Sequence, residues 1–298
     1  MPMEIEIFVK YFIQDISGES ESEDKITELS DIIRRNLGVD QIEDVLGSGS
    51  FGAAASLDQD RVLKLTSDPQ EVQAATNIWR NFEQGVILQH VARIYGAWYL
   101  SNYLIFNQTA KQRTRLGMVI LERMDEVKTA LDWRVAHSLR DVVERIKFKF
   151  KVWPNELQKI TRAEARSRLS AAASELIILL ESQAKYMLKK DPIDFKEVAD
   201  QFNQIALGIK ELFKLGIYGV DVHPGNIGKS QDGVIKIFDI GVSSSPKTSP
   251  RVVKNPDEQP YWESLEDNVP VLENPDGGIE SWPRIPISRE IAPILELS

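Results

Sequence analysis

Gly47, Gly49 and Gly52 stand in the pattern Gly-x-Gly-x-x-Gly, and Val62-Leu-Lys64-Leu follows a short distance on. Glycines at this spacing let a backbone come close to phosphate oxygens. They do so in two settings: at the start of a helix facing a dinucleotide, or between two strands that cover a nucleotide. The second setting needs a lysine on the next strand. Lys64 lies there between apolar neighbours, so its ammonium should point into a sheltered place and require phosphate oxygens or a carboxylate as partners. An ordinary hairpin followed by a solvent-facing lysine fits the same residues.

Two polar segments lie far downstream. Asp221-Val-His-Pro-Gly-Asn226 sets a carboxylate and a carboxamide on either side of a Pro-Gly turn. Phosphoryl transfer needs an acceptor for the nucleophile's proton and an oxygen ligand for a metal; an aspartate suits the first and an asparagine carbonyl the second. Asp239-Ile-Gly241 follows the β-branched run Val234-Ile-Lys-Ile-Phe. The interval from Asn226 to Asp239 is one hairpin long, which would return Asp239 to Asn226 and give two oxygen donors at one end. Taken singly, each segment also fits a plain capped turn.

In this order and setting, Gly47–Gly52, Lys64, Asp221–Asn226 and Asp239–Gly241 resemble the protein-kinase-like superfamily, which includes protein kinases, atypical kinases, and aminoglycoside and choline phosphotransferases. The matching segments run from about residue 41 to residue 241. The resemblance implies an α+β, bilobal fold: a small β-rich lobe over residues 1–121 and a mostly helical lobe over residues 122–298, with ATP and magnesium between them. It implies that Gly47, Gly49 and Gly52 approach the phosphates and that Lys64 holds the α- and β-phosphates. Asp221 would be the catalytic base, with Asn226 and Asp239 as magnesium ligands. The lysine's glutamate partner would be Glu71, with Glu83 as the second choice. Leu121 would border the adenine, and the backbones of Glu122 and Met124 would hydrogen-bond it. His223 stands where protein kinases carry lysine, either to neutralise the γ-phosphate or to brace the loop. Gly219-Val220 replace the usual His-Arg before Asp221, which is more similar to aminoglycoside-type and other atypical kinases and speaks against control by a phosphorylated activation loop. The implied activity is transfer of the γ-phosphoryl to a hydroxyl acceptor, a protein Ser/Thr or a small molecule. The alternative is a pseudokinase serving as a nucleotide-binding interaction module.

The elements that must carry these groups can be read from periodicity. Residues 4–13 partly alternate and read as a strand; Ile26 to Leu37 reads as a helix stopped by Gly38. Strands are expected over 41–46, 53–57 and 61–66, then a helix opened by Asp68-Pro69 and running to about Phe82. Further strands are expected near 97–106 and 116–121. Residues 129–215 should be mostly helical, with breaks at Trp153-Pro154 and Asp191-Pro192, and a hairpin at 227–238 should turn at Asp232-Gly233. Nine of the 14 prolines fall within residues 243–298, where long helices are not expected. No Ala-Pro-Glu motif follows Gly241, so substrate recognition is expected to lie in the helices around 130–190. The segment Ser281 to Ile287 should be extended and pack along the body.

Composition narrows the rest. Lys and Arg number 36 against 45 Asp and Glu, a formal charge of −9, which disfavours a broad nucleic-acid surface. There is no cysteine, so thiolate zinc sites, disulfide frameworks and thiol nucleophiles are excluded. The three histidines, His90, His137 and His223, are far apart. No apolar run approaches the length of a membrane span, and the start Met-Pro-Met-Glu is acidic where a secretory leader is basic. The expectation is a cytoplasmic protein that binds neither nucleic acid nor membrane. Arg162, Arg166, Arg168, Lys185, Lys189 and Lys190 read as a solvated helix face. Trp79, Trp98, Trp133 and Trp153 read as core or hinge packing.

Overall fold

Five of the six strands of the main sheet fall early in the chain and the longest helices follow them, a mixed α+β fold. The computed structural model describes residues 2–18, 22–49, 51–108, 112–125, 127, 129–157, 159–218, 221–239 and 271–272. The elements are β1 (Met3–Glu4), α1 (Ile5–Ser17), α2 (Glu23–Leu37), β2 (Gln41–Ile42), β3 (Val45–Ser48), β4 (Gly52–Ser56), β5 (Arg61–Thr66), α3 (Pro69–Glu83), β6 (Ile94–Asn107) and β7 (Gln112–Glu122). Then come α4 (Trp133–Phe150), α5 (Pro154–Leu157), α6 (Arg162–Lys190), α7 (Lys196–Lys214), β8 (Ile227–Lys229), β9 (Ile235–Ile237) and β10 (Val271–Leu272).

The six-stranded sheet has the order β10-β6-β7-β5-β4-β3, antiparallel except for the β10–β6 edge. Strand alternation divides its side chains between two cores. Leu63, Leu65, Met118 and Ile120 face α1 and α2, against Phe8, Phe12, Leu29 and Ile33. Val62, Val119 and Leu121 face the other way, toward α3 and the core built from α4, α6 and α7. Lys64 shares the parity of Val62, so it too points away from α1 and α2. Ile5 to Ile13 is thus a helix, not the strand that partial alternation predicts. Ile5, Phe8, Val9, Phe12, Ile13 and Ile16 are buried at three- and four-residue spacing, whereas Ile7, which supported the alternation, is 54% exposed.

The helical region follows the expected breaks. α3 opens at Asp68, whose carboxylate accepts the Gln70 N–H at 2.9 Å, and Pro69 takes the first helical position. α4 buries Val135, Leu139, Val142, Val143 and Ile146. Trp133 precedes that stripe and is 75% exposed, so the expectation of core or hinge packing does not hold for its side chain. Trp98 is buried and meets Trp79 at 5.2 Å between ring centroids. Arg166, Lys185, Lys189 and Lys190 face solvent. Among the described residues no helix is long and apolar enough to cross a membrane. The expectations for Gly219, Val220 and Gly241, and those for the chain beyond 241, lie outside the described residues apart from β10.

Candidate functional site

The glycine pattern forms the hairpin between β3 and β4, with Ser48 paired to Ala53 and the Gly49 N–H donated to the Gly52 carbonyl at 2.8 Å. The strand–strand setting of the motif is therefore the one that applies, and a helix directly after Gly52 is ruled out. The glycines serve different ends. A methyl group on Gly52 would lie 2.6 Å from the Leu65 carbonyl oxygen, so the close approach of β4 to β5 requires glycine there. At Gly47 and Gly49 it would meet nothing within 4 Å, so these two leave open space over the cavity below.

That cavity, about 530 Å³, is lined by Gly47, Gly49, Gly52, Lys64, Glu71, Leu121, Glu122, Met124, Asp221, His223, Asn226 and Asp239, the first-choice site residues of the sequence. Lys64 lies on its wall, with its side chain 17% exposed. Its ammonium contacts Glu71 Oε1, and it also lies 3.1 Å from Asp239 Oδ2. The Asp68-Pro69 start brings this about, because it turns the chain into a helix immediately after β5 and sets Glu71 in the first turn. Glu83, the second choice, is at the far end of α3 and exposed.

Charges around Lys64 are mutually adjusted. Burial alone would lower the lysine, but Glu71 and Asp239 outweigh it and hold the ammonium above its ordinary range. Burial pushes the Glu71 carboxyl up, and Lys64 pulls it back. Asp68 is raised to about 7 by burial first and the Glu71 charge second, against the lowering effect of the Gln70 N–H. Asp68, expected from the sequence only as a helix cap, also lines the cavity.

The β8–β9 hairpin supplies the opposite wall. Ile227 pairs with Ile237, and the Phe238 N–H donates to the Asn226 carbonyl at 3.0 Å, which sets Asp239 beside Asn226 as the hairpin length predicts. Parallel contact with residues 90–92 (Ile237 N–H to His90 O, 2.9 Å) and the Gln204 side chain on α7 hold the hairpin in place. Asn226 is buried and donates its Nδ2 to the Asp221 carbonyl at 2.9 Å, leaving Oδ1 free of that bond. His223 Nδ1 accepts the Gly225 N–H at 3.0 Å, so the imidazole braces the turn.

At the end of β7 the backbone is unevenly used. The N–H groups of Glu122, Arg123 and Asp125 donate to Arg93, Asp60 and Lys229 carbonyls, whereas that of Met124 has no acceptor among the described residues. The Glu122 carboxylate turns away to Lys236 Nζ at 2.7 Å and to the Arg93 N–H at 2.9 Å. Sequence reasoning missed this pair. It also missed Lys147 on α4, whose ammonium lies 2.5 Å from Asp221 Oδ1. A trace was present, since Lys147 stands four residues after Val143, beside the buried stripe of its helix.

Among the described residues no group of three or more Asp, Glu or His is placed to hold a metal unaided. Asn226 and Asp239 offer two oxygens, a donor set suited to a cation that takes its other ligands from phosphate and water. No family model matches the chain, and comparison with curated proteins finds no similar one.

Proposed function

We propose that the chain is an ATP-dependent phosphotransferase of the protein-kinase-like superfamily, with a small β-rich lobe over residues 1–121 whose sheet edge is extended by Val271–Leu272, a mostly helical lobe that begins at residue 122, and the nucleotide between them. The observation that carries this reading is the double contact of Lys64 with Glu71 and Asp239, inside one cavity covered by the Gly47–Gly52 hairpin. An ammonium already held by two carboxylates is positioned, and it can exchange part of that contact for phosphate oxygens without moving its strand.

The remaining groups fall into roles around it. Gly47 and Gly49 leave room for phosphates. Val62 and Leu121 border the base, and the Met124 N–H and the backbone of Glu122 are its hydrogen-bonding edge. Asn226 Oδ1 and Asp239 would hold magnesium, which supplies charge neutralisation at the phosphates when bound. Asp221 orients the acceptor hydroxyl, of a protein Ser/Thr or a small molecule, and takes its proton. His223 shapes the loop between Asp221 and Asn226.

The test is magnesium-dependent binding and turnover of labelled ATP, wild type beside Asp239→Asn. The expected result is turnover by the wild type and a loss of about 10²-fold or more in the variant. Binding with no turnover in the wild type would leave a pseudokinase, a nucleotide-binding interaction module. No binding at all would end the proposal.

A further inference from the structure

Lys147 takes no part in the scheme above, yet among the described residues it makes the only side-chain contact with the Asp221 carboxylate. The contact is built rather than incidental. The ammonium is 2.5 Å from Oδ1, and the lysine side chain is 13% exposed. It also lies 5.2 Å from the centroid of the Trp153 ring. That ring is brought there by the way α4 ends. Lys151 adopts a left-handed conformation (φ 53°), unusual for a residue with a side chain, and the N–H groups of Lys151 and Val152 both donate to the Lys147 carbonyl. The chain folds back over Lys147, and Trp153 closes over its ammonium.

The other carboxylate oxygen, Oδ2, has no donor among the described residues. The backbone carbonyl of Asp221 is occupied by the His223 N–H and by Asn226 Nδ2, which fixes the main chain. Among the described residues, Lys147 is the only side chain that fixes its side-chain torsion. A carboxylate with one oxygen clamped and one open presents a single acceptor in a single direction.

We propose that Lys147 is the positioning residue for Asp221: it holds Oδ1, sets the rotamer of the carboxylate and leaves Oδ2 as the atom that receives the acceptor's proton. The inference rests on the phosphotransferase reading. In the step concerned, the acceptor oxygen bonds to the γ-phosphorus as the bond from that phosphorus to the bridging oxygen breaks, its electron pair leaving on ADP. The hydroxyl proton passes to Oδ2. Lys147 neither gains nor loses a proton. Its position on α4, remote in sequence from the Asp221 loop, also makes the packing of α4 a determinant of the rate.

The test compares wild type, Lys147→Met, Lys147→Arg, Asp221→Asn and the Lys147→Met/Asp221→Asn double variant in ATP turnover, with thermal melts as a check on folding. The expected result for Lys147→Met is a fall of about 10²-fold in kcat, with KM for ATP changed by no more than about threefold. Lys147→Arg, which keeps the cation, should retain more activity. Adding Lys147→Met to Asp221→Asn should cost nothing further, because the lysine acts through the carboxylate. Wild-type kcat in Lys147→Met, with Asp221→Asn inactive, overturns this inference and leaves the phosphotransferase reading standing. Additive losses in the double variant overturn it too. If the wild type itself shows no turnover, that reading fails separately. Crystal structures of wild type and Lys147→Met then decide the positioning claim: a displaced Asp221 carboxylate supports it and an unmoved one overturns it. Should Lys147→Met fail to fold, the same comparisons are made with Lys147→Ala, which also removes the cation and for which activity and Asp221 position both equal to wild type overturn the claim.

Discussion

Asp68 is buried, caps α3 through the Gln70 N–H, and faces Glu71 and Asp239 with Lys64 as the nearest cation. Capping favours its charge, while burial and the neighbouring carboxylates oppose it. The opposition wins, raising the carboxyl to about 7 from an ordinary 3.8. The direction of the pH dependence follows. Between those two values the folded chain holds a proton that the unfolded chain has released, so stability falls as pH rises through the interval, and the loss is complete above about 7. Asparagine caps a helix about as well as aspartate but has no charge to bury. Asp68→Asn is therefore expected to exceed wild type by about 2–4 kcal/mol at pH 8 and to match it within about 0.5 kcal/mol below pH 4. Urea unfolding of both proteins across that range measures the difference. An offset independent of pH would show that Asp68 is not the titrating group.

The two kinds of glycine in the β3–β4 hairpin can be separated by the same substitution. Alanine at 52 forces a methyl against the Leu65 carbonyl oxygen, so β4 and β5 must shift apart at a cost of about 1–3 kcal/mol. Alanine at 49 meets no protein atom, and stability should stay within about 0.5 kcal/mol of wild type while nucleotide affinity falls. Melting curves with and without ATP and magnesium distinguish them; equal destabilisation by both would remove the phosphate-facing role of Gly49. This hairpin, β5, the start of α3 and the β8–β9 hairpin were legible because local chemistry specifies each: glycine spacing, strand parity, an Asp-Pro cap and an Asp-Gly turn. Residues 4–13 were misread because a short apolar segment satisfies both periods. Only the six-residue set from Ile5 to Ile16, continued past Ile13, favours the helix. Lys147 and Lys236 were not legible, because their partners lie far away in sequence and only tertiary packing brings them together.

The cavity exists only where distant stretches of the chain meet. Lys64 reaches Asp239, Asn77 Nδ2 donates to the Leu215 carbonyl at 2.9 Å, and the Glu211 carboxylate accepts the N–H groups of Gln89 and His90. The Glu122–Lys236 pair is the link of greatest consequence, because it ties the end of β7, which borders the cavity through Leu121, to the hairpin that carries Asn226 and Asp239. Both side chains are mostly buried, so neither charge is well solvated once its partner is gone. Removing one should cost more than removing both. Lys236→Met leaves the Glu122 carboxylate with the Arg93 N–H as its remaining donor and is expected to lose about 3 kcal/mol. Glu122→Gln/Lys236→Met should recover part of that loss. Urea unfolding of wild type, both single variants and the double variant measures the coupling, which should be about 1–3 kcal/mol. Single losses that simply add would mean the pair does not hold the two walls together, and the separation of Lys64 from Asp239 would then rest on the hydrophobic core and on the Asn77–Leu215 and Glu211 hydrogen bonds.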